Sequence, residues 1–159
     1  MGERTANQAN KYVVFNLAGE SYGVDILQVR EIMDKATITK IPQTPEFVEG
    51  IINIRGEIVP VVDLRKRFKV KSEVDYSRII TVFVADTLLG LVVDAVEEVL
   101  SISQDCISAI NKGQKSMINT RFIENVALME NEMILILNLN RLLSKEEFEQ
   151  LVEDMEEME

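Results

Sequence analysis

The chain has 159 residues, a formal net charge of −10, no histidine and one cysteine, Cys106. These counts exclude histidine-based catalysis, histidine metal ligands and internal disulfide bonds, and the acidity argues against nucleic acid as a partner. The hydrophobic fraction of 47% indicates a folded domain, while no apolar run approaches the roughly 18 residues that a membrane-spanning helix needs.

The N-terminal segment, MGERTANQANK, is mostly polar. We expect residues 1–11 to be disordered, because they offer few apolar side chains to bury. No apolar segment typical of a signal peptide follows them, and a lone cysteine is typical of a reducing compartment. We therefore expect a cytoplasmic protein that does not insert into the membrane.

An internal duplication organises the rest of the chain. In a first block, YVVFNLAGESYGVDILQVREIM (12–33) lies without a gap on IITVFVADTLLGLVVDAVEEVL (79–100). In a second block, FVEGIINIRGEIVPVVDLRKRF (47–68) lies without a gap on FIENVALMENEMILILNLNRLL (122–143). Two such blocks in the same order argue against chance similarity. The duplicated region is therefore 12–143, with copy one at about 12–68 and copy two at about 79–143.

Both copies predict the same elements in chain order. A strand, a turn and a second strand come first, followed by a short helical turn for which Asp25 with Gln28, or Asp94 with Glu97, has the capping-box spacing. A connector follows, and a hairpin closes each copy. In copy one, the tip of this hairpin is Arg55-Gly56-Glu57, where the glycine tolerates the positive φ of a tight turn.

Short strands joined by tight turns indicate an all-β protein built from small barrels. Four strands in each copy, or five with the connector, predict two SH3-like barrels packed together. The pattern leaves open whether each barrel uses one copy or whether the copies exchange hairpins.

The C-terminal segment, 144–159, predicts an acidic amphipathic helix. Ser144 and Glu147 have the spacing of a capping box, and eight acids with one lysine follow Ser144. We expect the helix to dock on the barrels, with a partner-binding helix as the alternative. The apolar face consists of Phe148, Leu151, Val152 and Met155.

The duplication also provides an internal control, because features of one copy alone are candidates for function. Arg55 can be a solvated turn residue or a recognition residue, and Glu31 in the same copy could pair with it. Glutamate recurs at the position of Glu31 in copy two, so a capping or surface role is its default. The matched pairs near the hairpin are Arg55 with Glu130, Gly56 with Asn131 and Gly50 with Asn125.

Three segments, YGVDILQVREIM, IPQTPEFVEGIINIRGEIVPVVDLRKRF and LGLVVDAVEEVL, closely resemble the CheW family of chemotaxis coupling proteins. The resemblance covers about 12–143, and its most specific part is G-x-x-N-x-R-G-x-x-x-P-x-x-D-L-R. It implies two five-stranded SH3-like barrels with a shared core.

The resemblance also implies a non-enzymatic adaptor without a cofactor or metal. Such an adaptor joins the cytoplasmic tips of methyl-accepting chemoreceptors to the regulatory domain of the histidine kinase CheA, in arrays at the membrane. It leaves the kinase-contact residues unassigned. The receptor contacts that it implies in the groove between the barrels are Val29, Glu31, Gly50, Arg55, Gly90 and Val99.

Two alternatives remain beside a stand-alone adaptor. The first is a detached regulatory domain of a kinase, because that domain is itself CheW-like. The second, much weaker, is a small β-barrel enzyme that uses paired carboxylates from Asp25, Asp63 and Asp94.

Overall fold

A computed structural model describes residues 9–34, 36–74, 77–109 and 121–158. Strands dominate these ranges, in agreement with the all-β prediction, and the last element is a C-terminal helix. The strands are β1 (Ala9–Leu17), β2 (Glu20–Asp25), β3 (Val29–Met33), β4 (Val48–Ile54), β5 (Glu57–Asp63), β6 (Arg78–Val84), β7 (Thr87–Val93), β8 (Ala95–Ser103), β9 (Ile107–Ala109), β10 (Ile123–Leu128) and β11 (Met133–Leu137), and the helices are α1 (Leu64–Phe68) and α2 (Lys145–Met158).

The strands form two sheets that curl into SH3-like barrels. The first sheet has the order β8-β1-β2-β11-β10-β9, and the second has the order β3-β6-β7-β5-β4. The hairpin β1–β2 from copy one thus joins strands of copy two, and the hairpin β6–β7 from copy two joins strands of copy one. The two copies exchange their first hairpins, which answers the question that the sequence left open.

Because of the exchange, both sheets have a corresponding arrangement of strands. β2 pairs with β11 in parallel in the first sheet, and β5 pairs with β7 in parallel in the second. All other pairings between named strands in the described ranges are antiparallel. Each parallel pair joins one strand from each copy, so neither sheet can form from a single copy.

The predicted helical turns are only partly correct. Asp25 caps a single 3₁₀ turn, Ile26–Gln28, by accepting the backbone N–H of Leu27 at 2.9 Å. The apolar residues that follow continue as strand β3 instead of a helix, and their matched residues form β8. Asp94 therefore caps no helix. β-Branched side chains and pairing with the neighbouring strands β6 and β1 outweigh the apolar spacing of a helix.

The disorder prediction for residues 1–11 is wrong at its C-terminal end. β1 begins at Ala9, which pairs with Ser103 of β8, so residues 9–11 have regular backbone partners. Residues 1–8 lie outside the described part of the chain, as does residue 159 at the end of the predicted tail.

The apolar core has one shared part and two smaller parts. Each sheet has its own cluster of buried side chains, and a larger cluster combines residues of both sheets, α1 and α2. A chain of aromatic rings crosses the shared part, with centroid distances of 5.8 Å for Phe15–Tyr22, 5.6 Å for Tyr22–Phe68 and 4.9 Å for Phe68–Phe122. The shared core therefore fixes the barrels against one another.

Helix α2 docks on this shared core, as expected. Its N-terminus has the predicted capping box, because the Ser144 N–H donates to Glu147 Oε1 at 2.7 Å and the Glu147 N–H donates to Ser144 Oγ at 3.1 Å. Leu151 is buried, and half-buried Phe148 packs against the same cluster. None of the helices in the described ranges is long and apolar enough to cross a membrane.

Candidate partner-binding surface

The tip of the β4–β5 hairpin is a two-residue turn. Arg55 and Gly56 both have positive φ, +50° and +88°, as a type I′ turn requires, and Asn53 Oδ1 accepts the Gly56 N–H at 2.8 Å. The matched β10–β11 hairpin closes differently, because Met129 N–H donates to the Glu132 carbonyl at 2.9 Å. Its tip residues are not among the described residues with positive φ.

Because the two turns differ, the hairpin tips of the two copies cannot be compared residue by residue. The second block of the duplication aligns Arg55 with Glu130, but the two side chains leave backbones of different geometry. Glu130 therefore does not show that the first tip tolerates a glutamate. The strands β4 and β5 can still be compared with β10 and β11, because the second block matches their positions and both sheets have the same strand arrangement.

Two ion pairs connect this tip to strand β3. Arg55 Nη2 lies 2.8 Å from Glu31 Oε1, which confirms the predicted pairing, and Arg30 Nη1 lies 2.9 Å from Glu57 Oε1. The hydrogen bond to Glu57 is the main cause of a raised pKa for Arg30. Because β3 and β4 are the two outer strands of the second sheet, the pairs bring the edges of that barrel together.

Arg55 nevertheless presents most of its side chain to solvent. Its exposed fraction is 67%, against 29% for Glu31. An exposed ion pair contributes about 0–1 kcal/mol to stability. The pair thus adds little to stability and leaves the guanidinium accessible.

The absence of a side chain at Gly50 is explained by close packing within the protein itself. The φ of Gly50 is +145°, and a Cβ built there would overlap the Thr39 carbonyl oxygen. Thr39 and Ile51 exchange two backbone hydrogen bonds, of 2.9 and 2.8 Å, which hold the connector against β4. Gly50 is also buried. Packing within the chain therefore accounts for the missing side chain, and a receptor contact at Gly50 stays a prediction.

Gly90 is likewise a packing position. It is buried in β7, where a Cβ would lie 3.2 Å from Ile79 Cγ2 and 3.4 Å from Val61 Cγ2. Packing therefore accounts for this glycine, and its predicted contact with a receptor stays a prediction. The duplication could have indicated this packing role, because the matched residue in copy one is also a glycine. That residue, Gly23, is crowded in the same way by Ile136.

The other predicted contacts divide between the two sheets. Val29 and Glu31 lie on β3, with Val29 half-buried against the shared core. Val99 lies on β8, the outer strand of the first sheet, and is 50% exposed. The structure therefore brings Glu31 and Arg55 into contact, keeps Val29 on the same strand, and places Val99 on a different sheet.

A cleft with both polar and apolar lining residues adjoins Arg55 and was not anticipated. It has a volume of about 910 Å³ and lies between the β4–β5 tip, the β6–β7 turn and α2. The available signal was the apolar stripe of the C-terminal helix, but its opposite wall depends on long-range packing. The apolar lining comes from Ile58, Pro60, Leu88, Phe148, Leu151, Val152 and Met155, and the rim includes Arg55, Glu57, Asp86 and Glu156.

The three aspartates of the enzyme alternative are bound in structural contacts. Asp25 caps the 3₁₀ turn described above, and Asp63 caps α1 and accepts Arg65 Nε and Nη2 at 3.2 Å each, which raises the pKa of Arg65. Asp94 accepts the Ala18 N–H at 2.9 Å and the Ser72 hydroxyl at 2.6 Å. Among the described residues, no group of three or more histidine, cysteine, aspartate or glutamate side chains could hold a metal ion.

Known proteins are similar to this chain in sequence. The CheW-like domain family model matches residues 11–147. The chain is 34% identical to the chemotaxis protein CheW of Klebsiella aerogenes, over 86% of this chain and 83% of that protein. It is 30% identical to the chemotaxis protein CheW of Bacillus subtilis, over 91% and 93%.

A solved structure has a similar fold. The crystal structure of the scaffolding protein TtCheW from Thermoanaerobacter tengcongensis superposes with a TM-score of 0.74 and 45% sequence identity, covering 84% of this chain and 92% of that one. The family match spans both barrels and reaches into α2. The chain therefore belongs to the CheW family of chemotaxis scaffold proteins.

Proposed function

We propose that the protein is an adaptor that couples methyl-accepting chemoreceptors to the regulatory domain of the histidine kinase CheA. The observation that carries the proposal is the exposed guanidinium of Arg55, held by Glu31 at the end of one barrel of a CheW fold. An accessible guanidinium is suited to recognition, because it presents five N–H donors in a planar fork.

The proposed receptor surface is smaller than the sequence suggested. It includes Arg55, Glu31 and Val29 directly, and Val99 from the other sheet. Gly50 and Gly90 contribute only by letting the connector and the sheets pack closely. Binding to receptors would recruit the protein to membrane-anchored arrays from the cytoplasm without any insertion of its own.

The kinase contact is proposed to lie elsewhere on the barrels. The two sheets share one plan, so a CheW-like regulatory domain can pack against this protein through contacts related by pseudo-symmetry. A receptor and a kinase could then bind at the same time, as an adaptor requires.

The test is a co-sedimentation assay with a matched receptor cytoplasmic fragment and CheA. We expect a ternary complex in which the kinase pellets with the receptor fragment only when this protein is present. A kinase that pellets to the same extent without the protein, or no complex at all in the matched system, would contradict the proposal.

A further inference from the structure

Strand β3 contains a β-bulge at Arg30. Val29 pairs with Val82 of β6 and Glu31 pairs with Thr81, so β3 advances by two residues where β6 advances by one. Arg30 is the extra residue. Consecutive side chains of a regular strand point to opposite faces of the sheet, and a bulge re-aims one of them. The bulge therefore allows the neighbouring side chains of Arg30 and Glu31 to extend in the same direction.

Arg30 and Glu31 both reach the tip of the β4–β5 hairpin. Arg30 Nε lies 3.9 Å from Glu31 Oε1, so the two side chains lie next to each other. Arg30 contacts Glu57 at 2.9 Å, and Glu31 contacts Arg55 at 2.8 Å. The four side chains form a row of alternating charge, in the order Glu57, Arg30, Glu31 and Arg55. The row depends on the backbone geometry of the bulge, because a regular strand would direct one of its central members away from the tip.

The buried hydroxyl of Thr81 binds the backbone at this bulge. Thr81 Oγ1 accepts the Glu31 N–H at 3.0 Å, and the same hydroxyl donates to the Glu31 carbonyl at 3.2 Å. A hydroxyl is both a donor and an acceptor, so one side chain can bind both backbone groups of one residue. Thr81 has no exposed surface. Two hydrogen bonds from a buried position thus hold the backbone from which the Glu31 carboxylate extends.

The other barrel has the same bulge without the hydroxyl. The first block of the duplication matches Arg30 with Glu97 and Thr81 with Val14. The register of β1 with β8 shifts at the matched place, beside Val14, and leaves Glu97 as the extra residue. Val14 is buried, as Thr81 is. A bulge therefore forms opposite a valine as well, and the hydroxyl is a feature of one barrel alone.

We propose that Thr81 is a positioning residue for receptor binding, and that its hydroxyl sets the Glu31 carboxylate beside Arg55. The inference rests on the proposed function, because it takes Glu31 and Arg55 as receptor contacts. Thr81 is fully buried, so it touches no partner and acts through Glu31. A role in the fold alone would not account for a hydroxyl that the matched barrel lacks.

Variants of Thr81 separate its hydroxyl from its shape. Thr81→Val keeps the shape and reproduces the residue of the other barrel, so it should fold, and its receptor affinity should fall by about fivefold or more. Thr81→Ala removes the same hydroxyl and should show a similar loss. Thr81→Ser keeps the hydroxyl and should bind like the wild type. The measurement is a titration with a matched receptor cytoplasmic fragment, at a temperature at which each variant is folded.

The matched control is the reverse change in the other barrel. Val14→Thr places a hydroxyl in the core of the first sheet, so it should lower the melting temperature and leave receptor affinity unchanged. Wild-type affinity in Thr81→Val and Thr81→Ala would overturn the inference, and so would an equal loss in Thr81→Ser. Failure of the wild-type protein to bind the receptor would instead reject the proposed function.

A double-mutant cycle tests whether Thr81 acts through Glu31. Losses of affinity from independent residues add, whereas those from residues that act together do not. In a Glu31→Ala background, Thr81→Val should therefore cause little further loss of receptor affinity. Affinity for the kinase regulatory domain should stay the same in both single variants and in the double variant. Additive losses toward the receptor would overturn the inference, because Thr81 would then act by another route.

Discussion

Arg67 of α1 forms a two-point ion pair with Glu147 of α2, with Nη2–Oε1 at 2.8 Å and Nη1–Oε2 at 3.3 Å. Its Nε donates to the Leu142 carbonyl at 2.7 Å, and its guanidinium lies 4.2 Å from the centroid of the Phe47 ring and 5.2 Å from that of Phe122. The second block of the duplication matches Phe47 with Phe122 and Arg67 with Leu142. One side chain therefore joins both copies and the C-terminal helix.

Removal of this guanidinium should strongly destabilise the protein. Arg67 is only 8% exposed, and its loss leaves the half-buried Glu147 carboxylate without its charged partner. Breaking a buried ion pair from one side costs about 3–5 kcal/mol. Because Glu147 is only partly buried, Arg67→Ala should lower the free energy of unfolding by about 3 kcal/mol in a urea titration, at the lower end of this range.

The matched control for this change lies on the same helix. Lys66 is 44% exposed and is ion-paired with Glu49. Lys66→Ala should cost less than about 1 kcal/mol, because a solvent-screened pair contributes little. A loss for Arg67→Ala as small as that for Lys66→Ala would show that the Arg67 ion pair contributes little and that apolar contacts hold the junction.

The same ion pair makes stability depend on pH. Burial by itself would raise the pKa of Glu147, but hydrogen bonds from Ser144 and the charge of Arg67 outweigh it, so the pKa lies below the ordinary value of 4.5. A lowered pKa stabilises the fold above the unfolded-state pKa, and this contribution is lost as the pH falls through the folded-state value.

Glu147→Gln should therefore be less stable than the wild type at pH 7. The difference in unfolding free energy should shrink as the pH falls below 4.5 and through the lowered folded-state pKa, because the wild-type carboxylate becomes protonated there. Urea titrations of both proteins at several pH values provide the measurement. A difference that stays constant over this range would mean that the carboxylate charge is not responsible.

Several local signals in the sequence predicted the local structure correctly, although the capping-box spacing of Asp94 with Glu97 did not. The capping box of Ser144, the strands and the tight turn at Gly56 all depend on neighbouring residues. The same local signals were ambiguous for Val29–Met33, where the apolar spacing suits both a helical turn and a strand. Pairing with β6 decides between the two, and this partner belongs to the other copy, far along the chain.

Long-range packing could not be predicted in this way. An exchanged and an unexchanged pair of hairpins satisfy the same alternation of apolar residues, so the sequence left both open. The roles of Gly50 and Gly90 depend on which atoms lie opposite them, namely the Thr39 carbonyl and the Ile79 side chain. The cleft beside Arg55 was missed because its walls come from separate parts of the chain.

Gly50→Asp should act on folding and not selectively on binding. The new Cβ would overlap the Thr39 carbonyl oxygen, and the φ of +145° is strained for any other residue. Together these effects should cost more than about 3 kcal/mol. Thermal unfolding should show a large fall in melting temperature, with receptor binding lost only to the extent that the protein unfolds.

Gly19→Asp separates the overlap from the strain. Gly19 also has positive φ, +89°, but a Cβ there would meet no atom within 4 Å. Its substitution should cost only about 1–3 kcal/mol, from backbone strain alone. A Gly50→Asp protein as stable as Gly19→Asp, yet unable to bind the receptor, would restore Gly50 to the binding surface.

Arg55→Glu should separate receptor binding from kinase binding. The change removes an exposed ion pair and places a carboxylate near Glu31 and Glu57, so we expect a loss of about 1 kcal/mol in stability. Receptor affinity should fall by about thirtyfold or more, which corresponds to roughly 2 kcal/mol for a buried arginine contact. Affinity for the kinase regulatory domain should stay nearly unchanged in a parallel titration.

A charge exchange distinguishes contact from positioning. In the double variant Arg55→Glu with Glu31→Arg, the ion pair between β3 and the hairpin tip can form again with its charges reversed. If Arg55 touches the receptor, receptor binding stays weak in the double variant, because the guanidinium now projects from β3. If Arg55 only closes the barrel, the double variant recovers wild-type affinity, and the receptor surface must lie elsewhere. A loss of kinase binding in either variant would instead place the kinase at this tip.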